Sequence, residues 1–230
     1  MANLSPVASD ALAGQSRAMS EASERAGRWP IARSAGDAGG AGAREAEGRW
    51  IARREERRLI RAAQDGSEEA LEGLFRRHWP LAHRAAYLVV RDAAAAEDIA
   101  QESFLSALRA LDRFDRRRPF GPWLHRIVVN RAIDWSRARK LRGEVSAEVE
   151  ERPEPASPAA PHGSAAFSED VGDALAALDP ERRAIVVMRY LLEFTPGEIA
   201  EALDLPRGTV NSRLRRALDQ LGERLGSEEA

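Results

Sequence analysis

The stretch 143–168, GEVSAEVEERPEPASPAAPHGSAAFS, constrains this chain more than any other. It carries four prolines and an acidic cluster at Glu144, Glu148, Glu150, Glu151 and Glu154. Proline removes a backbone donor and stiffens the chain, and clustered like charges repel, so such a segment extends rather than packs. The 230 residues therefore cannot share one uninterrupted run of secondary structure, and the apolar patterning falls on either side of this break. The expectation is two helical units, 55–142 and 169–226, joined by a flexible acidic linker over 143–168.

Both flanks show apolar residues at helical spacing, and no period-two alternation bounded by turn signals suggests strands. The expected fold is all-α. Before the break, Leu59, Ala62 and Ala63 lead to a stop at QDGSEE. Ser67 then caps a stripe of Ala70, Leu71, Leu74 and Phe75 that continues through LAHRAAYLVV. A third helix runs through AAAEDIAQESFLSALRALDRF, RPFGPW interrupts it, and WLHRIVVNRAIDWSRARK forms a fourth. After the break come DVGDALAAL, PERRAIVVMRYLL, TPGEIAEAL and a final arginine-rich helix.

Residues 1–54 are rich in Ala, Gly, Ser and Arg and poor in large apolar side chains, which predicts a disordered extension. It contains a near-repeat, GRWPIAR at Gly27–Arg33 and GRWIAR at Gly48–Arg53. Two copies are too few for a solenoid. The repeat is either drift in a low-complexity tail or a short docking motif of Trp flanked by Arg.

Several function classes are excluded early. There is no cysteine, hence no disulfide, thiolate metal site or cysteine nucleophile, in keeping with a reducing cytoplasm. No charged-then-apolar leader opens the chain, and no run approaches the ~18 apolar residues of a membrane span. The expected location is the cytoplasm. His78, His83, His125 and His162 fall in different contexts, without carboxylates at metal spacing, so neither a metal, a cofactor nor an enzyme activity is expected. Net charge is −2, so any attraction to a polyanion has to be local.

Local signals are present on both flanks. Thr195, Pro196 and Glu198 spell a capping box with proline at the first helical position. Ile199, Ala200 and Leu203 form a buried face, a turn follows at Asp204–Arg207, and Val210, Leu214 and Leu218 line the next helix. Small residue, tight turn, then an apolar residue ten positions on is the helix-turn-helix pattern. Asp204 stands where many such units have glycine, and aspartate tolerates the left-handed conformation. Arg207, Thr209, Ser212, Arg213 and Arg216 face outward with Asn211 to one side. Arginine bonds guanine edges, and all these side chains bond phosphates. The alternative for this face is simple solvation.

On the earlier flank, Asp98, Gln101, Glu102, Leu105 and Arg109 share one face opposite Ala100, Phe104, Ala107, Leu108 and Leu111. Acidic residues near a helix N-terminus gain only about 0.3–1 kcal/mol each from the helix dipole. A leucine among them instead suggests a partner surface. Between Arg118 and Arg142, seven basic residues meet Asp134 alone, a local balance of +6, with Phe120, Trp123 and Trp135 interleaved. Arg126, Asn130, Asp134 and Arg137 share a face at spacings of four, four and three. Cations beside aromatic rings suit single-stranded or unstacked DNA. The rings, Trp135 above all, equally suit a core.

The three strings AEDIAQESFLSALRAL, FGPWLHRIVVNRAIDWSRAR and LDPERRAIVVMRYLLEFTPGEIAEALDLPRGTVNSRLRRAL, in this order, resemble the extracytoplasmic-function (ECF) subfamily of bacterial RNA polymerase sigma factors. The resemblance covers roughly 55–226. It implies a polymerase-binding and promoter-melting domain followed by a second promoter-reading domain. Asp98, Gln101, Glu102 and Leu105 then dock on polymerase, chiefly its β′ subunit with β contacted elsewhere. Arg118, Phe120, Trp123, Arg126, Asn130 and Arg137 read the −10 element, with the loop Phe114–Phe120 and Asn130 holding a flipped base. Arg207, Thr209, Asn211, Ser212, Arg213 and Arg216 enter the major groove at the −35 element. The linker glutamates, by the same resemblance, occupy channels otherwise taken by RNA, although an acidic tether needs only its composition to explain it. An anti-sigma factor is an admissible further partner. A standalone helix-turn-helix regulator is the competing reading, and it leaves the basic-aromatic helix and the acidic face without a role.

Overall fold

The structure is a computed structural model that describes residues 41–143 and 169–227. The first copy of the near-repeat, the expected acidic linker and most of the expected disordered extension lie outside the described residues. Among the described residues there are helices and no strands, as the periodicity predicts. In chain order they are α1 (Ala41–Gln64), α2 (Glu68–Val90), α3 (Ala93–Arg109), a 3₁₀ turn (Leu111–Arg113), α4 (Phe120–Leu141), α5 (Glu169–Ala176), α6 (Pro180–Tyr190), α7 (Pro196–Leu203) and α8 (Arg207–Ser227).

Helix boundaries follow the local chemistry closely. Gly66, at φ 91°, turns the chain after α1, and the Ser67 hydroxyl accepts from the Ala70 N–H at 3.2 Å to open α2. Asp92 caps α3 and Asp179 caps α6 in the same way. Thr195 and Glu198 form the full capping box of α7, and Asp204 adopts the left-handed conformation at φ 53°. Arg91 does so at φ 58°, where its N–H reaches the Tyr87 carbonyl at 2.8 Å and ends α2.

Two boundaries differ from expectation. Helix α1 begins at Ala41, so 41–54 are helical and not part of a disordered tail. The segment is Ala-, Glu- and Arg-rich, all strong helix formers. It propagates from a packed end where Ile60 is fully buried. Helix α4 begins at Phe120, so Gly121 and Pro122 lie within its first turn instead of breaking the chain there. First-turn N–H groups have no intrahelical partner, so proline costs nothing at that position.

Helix α2 is the central strut, packed against α1, α3, α4 and α6. Ala82, Ala85 and Ala86 are completely buried along it, and side chains this small let neighbouring helices approach. Leu74, Val89, Phe104, Phe120, Leu124, Val128 and Val129 fill the space around them. Leu175, Ile185, Met188, Ile199 and Val210 do the same among α5–α8, and the two sets join as one apolar cluster. Trp123 and Trp135 are half-buried, packed on this cluster.

The expected inner face of α8, Val210, Leu214 and Leu218, is partly corrected. Val210, Ala217 and Leu221 are buried, Leu214 is half-buried, and Leu218 stays 39% exposed. Strict spacing of four drifts around a helix of 3.6 residues per turn, so the buried stripe steps from four to seven.

The seam between α1–α4 and α5–α8 is closed by a buried cation. The Arg183 guanidinium donates to the carbonyls of Leu175 (2.9 Å), Ala176 (2.9 Å), Leu178 (2.7 Å) and, across the seam, Val89 (2.7 Å). These oxygens lie at the C-terminal ends of α5 and α2, where a helix leaves carbonyls unpaired. Burial, with Arg91 adding its repulsion, pushes the Arg183 pKa down to about 10, so the group stays cationic at neutral pH. Arg183→Ala strips the donor from all four buried carbonyls. The expected loss is about 3 kcal/mol or more of unfolding free energy, read from urea midpoints.

Candidate nucleic-acid interface

The helix-turn-helix is formed by α7 and α8, crossing at the Asp204 turn. Opposite its buried stripe, Arg207, Asn211, Ser212, Arg215 and Arg216 are exposed. Thr209 is half-buried, and its carbonyl accepts from the Ser212 hydroxyl at 3.0 Å. Arg213 is turned away from the open face: its Nη1 meets Glu181 Oε2 at 2.5 Å. The exposed group has the hydrogen-bonding repertoire to read base edges and phosphates.

The face of α4 predicted to meet DNA is occupied instead by the helix-turn-helix unit. Arg126 Nη2 donates to the Glu201 carbonyl at 2.7 Å, and Asn130 Nδ2 donates to the Ala202 carbonyl at 3.2 Å. Both oxygens belong to the last turn of α7, another helix end in need of donors. Arg137 adds hydrogen bonds to Glu181 Oε1 at 2.7 and 3.2 Å. Glu181 thus bridges one arginine from each predicted DNA face, and the Arg137 hydrogen bonds, ahead of the charge of Arg213, hold its carboxyl below the usual carboxylate range. The structure therefore brings Arg126 and Asn130 together under the end of α7, while Arg137 stays exposed at the edge of the same face.

Phe120 is corrected. It is fully buried, with its ring 5.2 Å from that of His78, 5.7 Å from Phe114 and 5.5 Å from Trp123. It supports the loop from beneath and cannot stack on a base. Trp123 lies 4.7 Å from Phe114 at the rim of the same cluster. Arg118 is half-buried, with Asp115 3.8 Å away.

On α3, Asp98, Gln101, Glu102 and Leu105 are all exposed on one face, Leu105 by 51%. Glu102 pairs with Arg131 of α4, which also donates to the Ser106 hydroxyl at 2.7 Å. Gln101 donates to Glu97 at 3.1 Å. An apolar centre ringed by acids and amides is left facing outward.

Sequence spacing missed the brace beneath the loop Phe114–Phe120. Gln64, ending α1, donates to the carbonyls of Leu111 at 2.8 Å and Phe114 at 3.2 Å, where the loop starts. Where it finishes, the buried Glu56 carboxylate accepts from the Phe120 N–H at 3.4 Å. His78 Nε2 lies 3.1 Å from Glu56, an ion-pair separation bent away from a straight hydrogen bond. His125 packs nearby, its Nε2 buried without a hydrogen-bond partner. His78 and His125, far apart in the sequence, thus meet through the fold. Among the described residues no group of three or more His, Asp or Glu side chains is placed to hold a metal. Nor is any helix there long and apolar enough to cross a membrane.

A helical chain with a capped helix-turn-helix and a second basic face belongs among DNA-reading proteins. Family models for Sigma-70 region 2 and Sigma-70, region 4 match residues 74–142 and 168–221. The chain is 35% identical over 173 residues to the ECF RNA polymerase sigma factor SigM of Mycobacterium tuberculosis, covering 75% of this chain and 86% of that protein. It is 32% identical over 166 residues to the RNA polymerase sigma factor CarQ of Myxococcus xanthus, covering 72% and 95%. Among solved structures, CnrH in complex with the cytosolic domain of CnrY superposes with a TM-score of 0.54 at 27% identity, covering 75% of this chain and 97% of that one. The sigma factor RpoE of Bartonella quintana, at 24% identity and a TM-score of 0.55 over 67% of this chain and 96% of that one, shares the fold. The chain belongs to the ECF RNA polymerase sigma factors, the subunits that bind core polymerase and direct it to promoters.

Burial, with the nearby His78 adding to it, pushes the His125 pKa down to about 3, so the fold holds this imidazole neutral. Its contribution to stability is complete above the unfolded value near 6.5 and is lost progressively as pH falls from there toward 3. Glu56, held below its usual 4.5 by His78 and the Phe120 N–H against the cost of burial, weakens the fold only at lower pH. Unfolding free energy should therefore fall by up to about 1.4 kcal/mol per unit below pH 6.5. His125→Phe should flatten the slope between about pH 5 and 6.5 in urea titrations.

Proposed function

We propose that the two halves of this sigma factor divide promoter reading, with 55–142 melting and capturing the −10 element and 169–226 reading the −35 element. Arg207, Thr209, Asn211, Ser212 and Arg216 enter the major groove, and Arg213 joins them once released from Glu181. Asn130, Arg126, Arg137 and Trp123, with Arg118 in the adjoining loop, bind the opened strand. Asp98, Gln101, Glu102 and Leu105 dock on polymerase, chiefly β′. The observation that carries this assignment is the exposed Arg207–Arg216 face on a capped helix-turn-helix.

Arg126, Asn130 and Arg137 reach DNA only after α7 and α6 leave α4, so the described arrangement is a closed form that opens on polymerase and promoter. The chain contributes specificity, not catalysis, and works in the cytoplasm beside polymerase. The complex of CnrH with the cytosolic domain of CnrY supports a protein partner for this chain as well. Such a partner acts most simply by holding the closed form.

Purified protein mixed with sigma-free core polymerase and a genomic promoter library should yield specific initiation at a subset of promoters. Duplex sites bound without polymerase, together with no specific initiation, would overturn the assignment in favour of a standalone regulator. On a promoter so recovered, Arg216→Ala should cost about 1–3 kcal/mol of −35 discrimination in competition assays. Asn130→Ala should impair strand opening, read by permanganate footprinting, while duplex binding persists. Glu181→Gln loosens the closed form and frees Arg137 and Arg213 without replacing either. It should expand the free protein in small-angle scattering and raise promoter binding at limiting polymerase.

A further inference from the structure

Between α1 and the end of the Phe114–Phe120 loop lies a shallow, open surface cleft lined by Arg53, Glu56, Arg57, Arg117, Arg118 and Pro119. We infer that this cleft is a phosphate site that grips the sugar–phosphate backbone of the opened DNA strand beside the captured base. The inference rests on the −10 assignment made above for α4.

Charge is the first ground. Four guanidinium groups line the cleft against one carboxylate, and that carboxylate is not available to them. Glu56 is only 8% exposed and is committed to His78 and the Phe120 N–H. Arg53, Arg57 and Arg117 are exposed and have no ion-pair partner among the described residues. Arg53 and Arg57 also sit four apart on α1, a spacing at which like charges on a helix repel. An anion between them and the loop removes that repulsion, and arginine forks match phosphate geometry.

Position is the second ground. Gln64 and Glu56 pin the two ends of the loop to α1, so Arg53 and Arg57 are held in fixed register with Arg117 and Arg118. The loop runs directly into Trp123, Arg126 and Asn130 along α4. A strand lying on that face passes the cleft with its backbone. Proline at 119 and the buried ring at 120 leave no socket for a base there, so the cleft offers charge without base-reading groups. It adds affinity, not sequence preference.

The test uses holoenzyme and a fork-junction DNA built on a promoter from the library above, with single-stranded −10 sequence. For the double variant Arg53→Ala/Arg57→Ala, affinity should fall severalfold for all −10 sequences alike. The slope of log K against log salt should shrink by about 0.7 for each single-strand phosphate that the variant no longer neutralises. Replacing one phosphate beside the captured base by methylphosphonate should weaken wild-type binding and leave the double variant unaffected. Unchanged affinity and salt slope in the double variant, with wild-type protein still sequence-selective, would overturn the phosphate site alone. Weakened binding of the variant to core polymerase, with fork-junction affinity per holoenzyme unchanged, would also overturn it and point to a protein surface. Wild-type holoenzyme that shows no −10 preference would refute the underlying −10 assignment instead.

Discussion

Buried helix C-termini need donors, and this requirement organises the molecule. The last turn of a helix leaves carbonyls without intrahelical partners, carrying roughly half a negative charge between them. Where such an end is pressed against another helix, water cannot serve it. Arg183 answers for the ends of α5 and α2, Gln64 for the 3₁₀ turn, and Arg126 with Asn130 for the end of α7. Each pairing is long-range or crosses between elements, so together they decide how the helices sit against one another.

That arrangement has a functional edge. The donors that satisfy carbonyl oxygens in the closed form are suited to phosphates and base edges in the open one. On the function proposed above, Arg126, Asn130 and Arg137 exchange the protein's own acceptors for those of DNA. Glu181 weights that exchange, since it neutralises Arg137 and Arg213 together. Exposed pairs of this kind are worth little individually. In the opening proposed above, each half keeps buried side chains of its own: Leu74, Phe104 and Leu124 in one, Ile185, Met188 and Ile199 in the other.

Much of the fold was legible in local patterns. Ser67, the Thr195–Glu198 box and Asp204 act within three or four residues of themselves, so sequence spacing captures them fully. The exposed set Asp98, Gln101, Glu102 and Leu105 follows from helical periodicity in the same way. Periodicity failed where distance along the chain is long or a ring can face either way. Phe120 proved to be core, Leu218 yielded its place to Ala217, and the helical start at Ala41 depends on the anchor that Ile60 and Glu56 provide farther along α1.

By itself, the amino-acid sequence determined the all-helical class, the helix-turn-helix, the exposed acidic face of α3 and the family. These rest on capping chemistry, on a period of 3.6, and on motif order, all of which are written along one dimension. Only the tertiary structure decided that Asn130 and Arg126 are covered by α7, that Glu181 joins Arg137 of α4 to Arg213 of α8, and that Glu56, His78 and His125 meet under the loop. The α4 side chains Arg126, Asn130 and Arg137 lie 75, 72 and 44 residues from the partners they reach on α7 and α6, and no local pattern encodes which acceptor a distant side chain will find. Helix packing selects them, because it decides which acceptors come within reach of each donor.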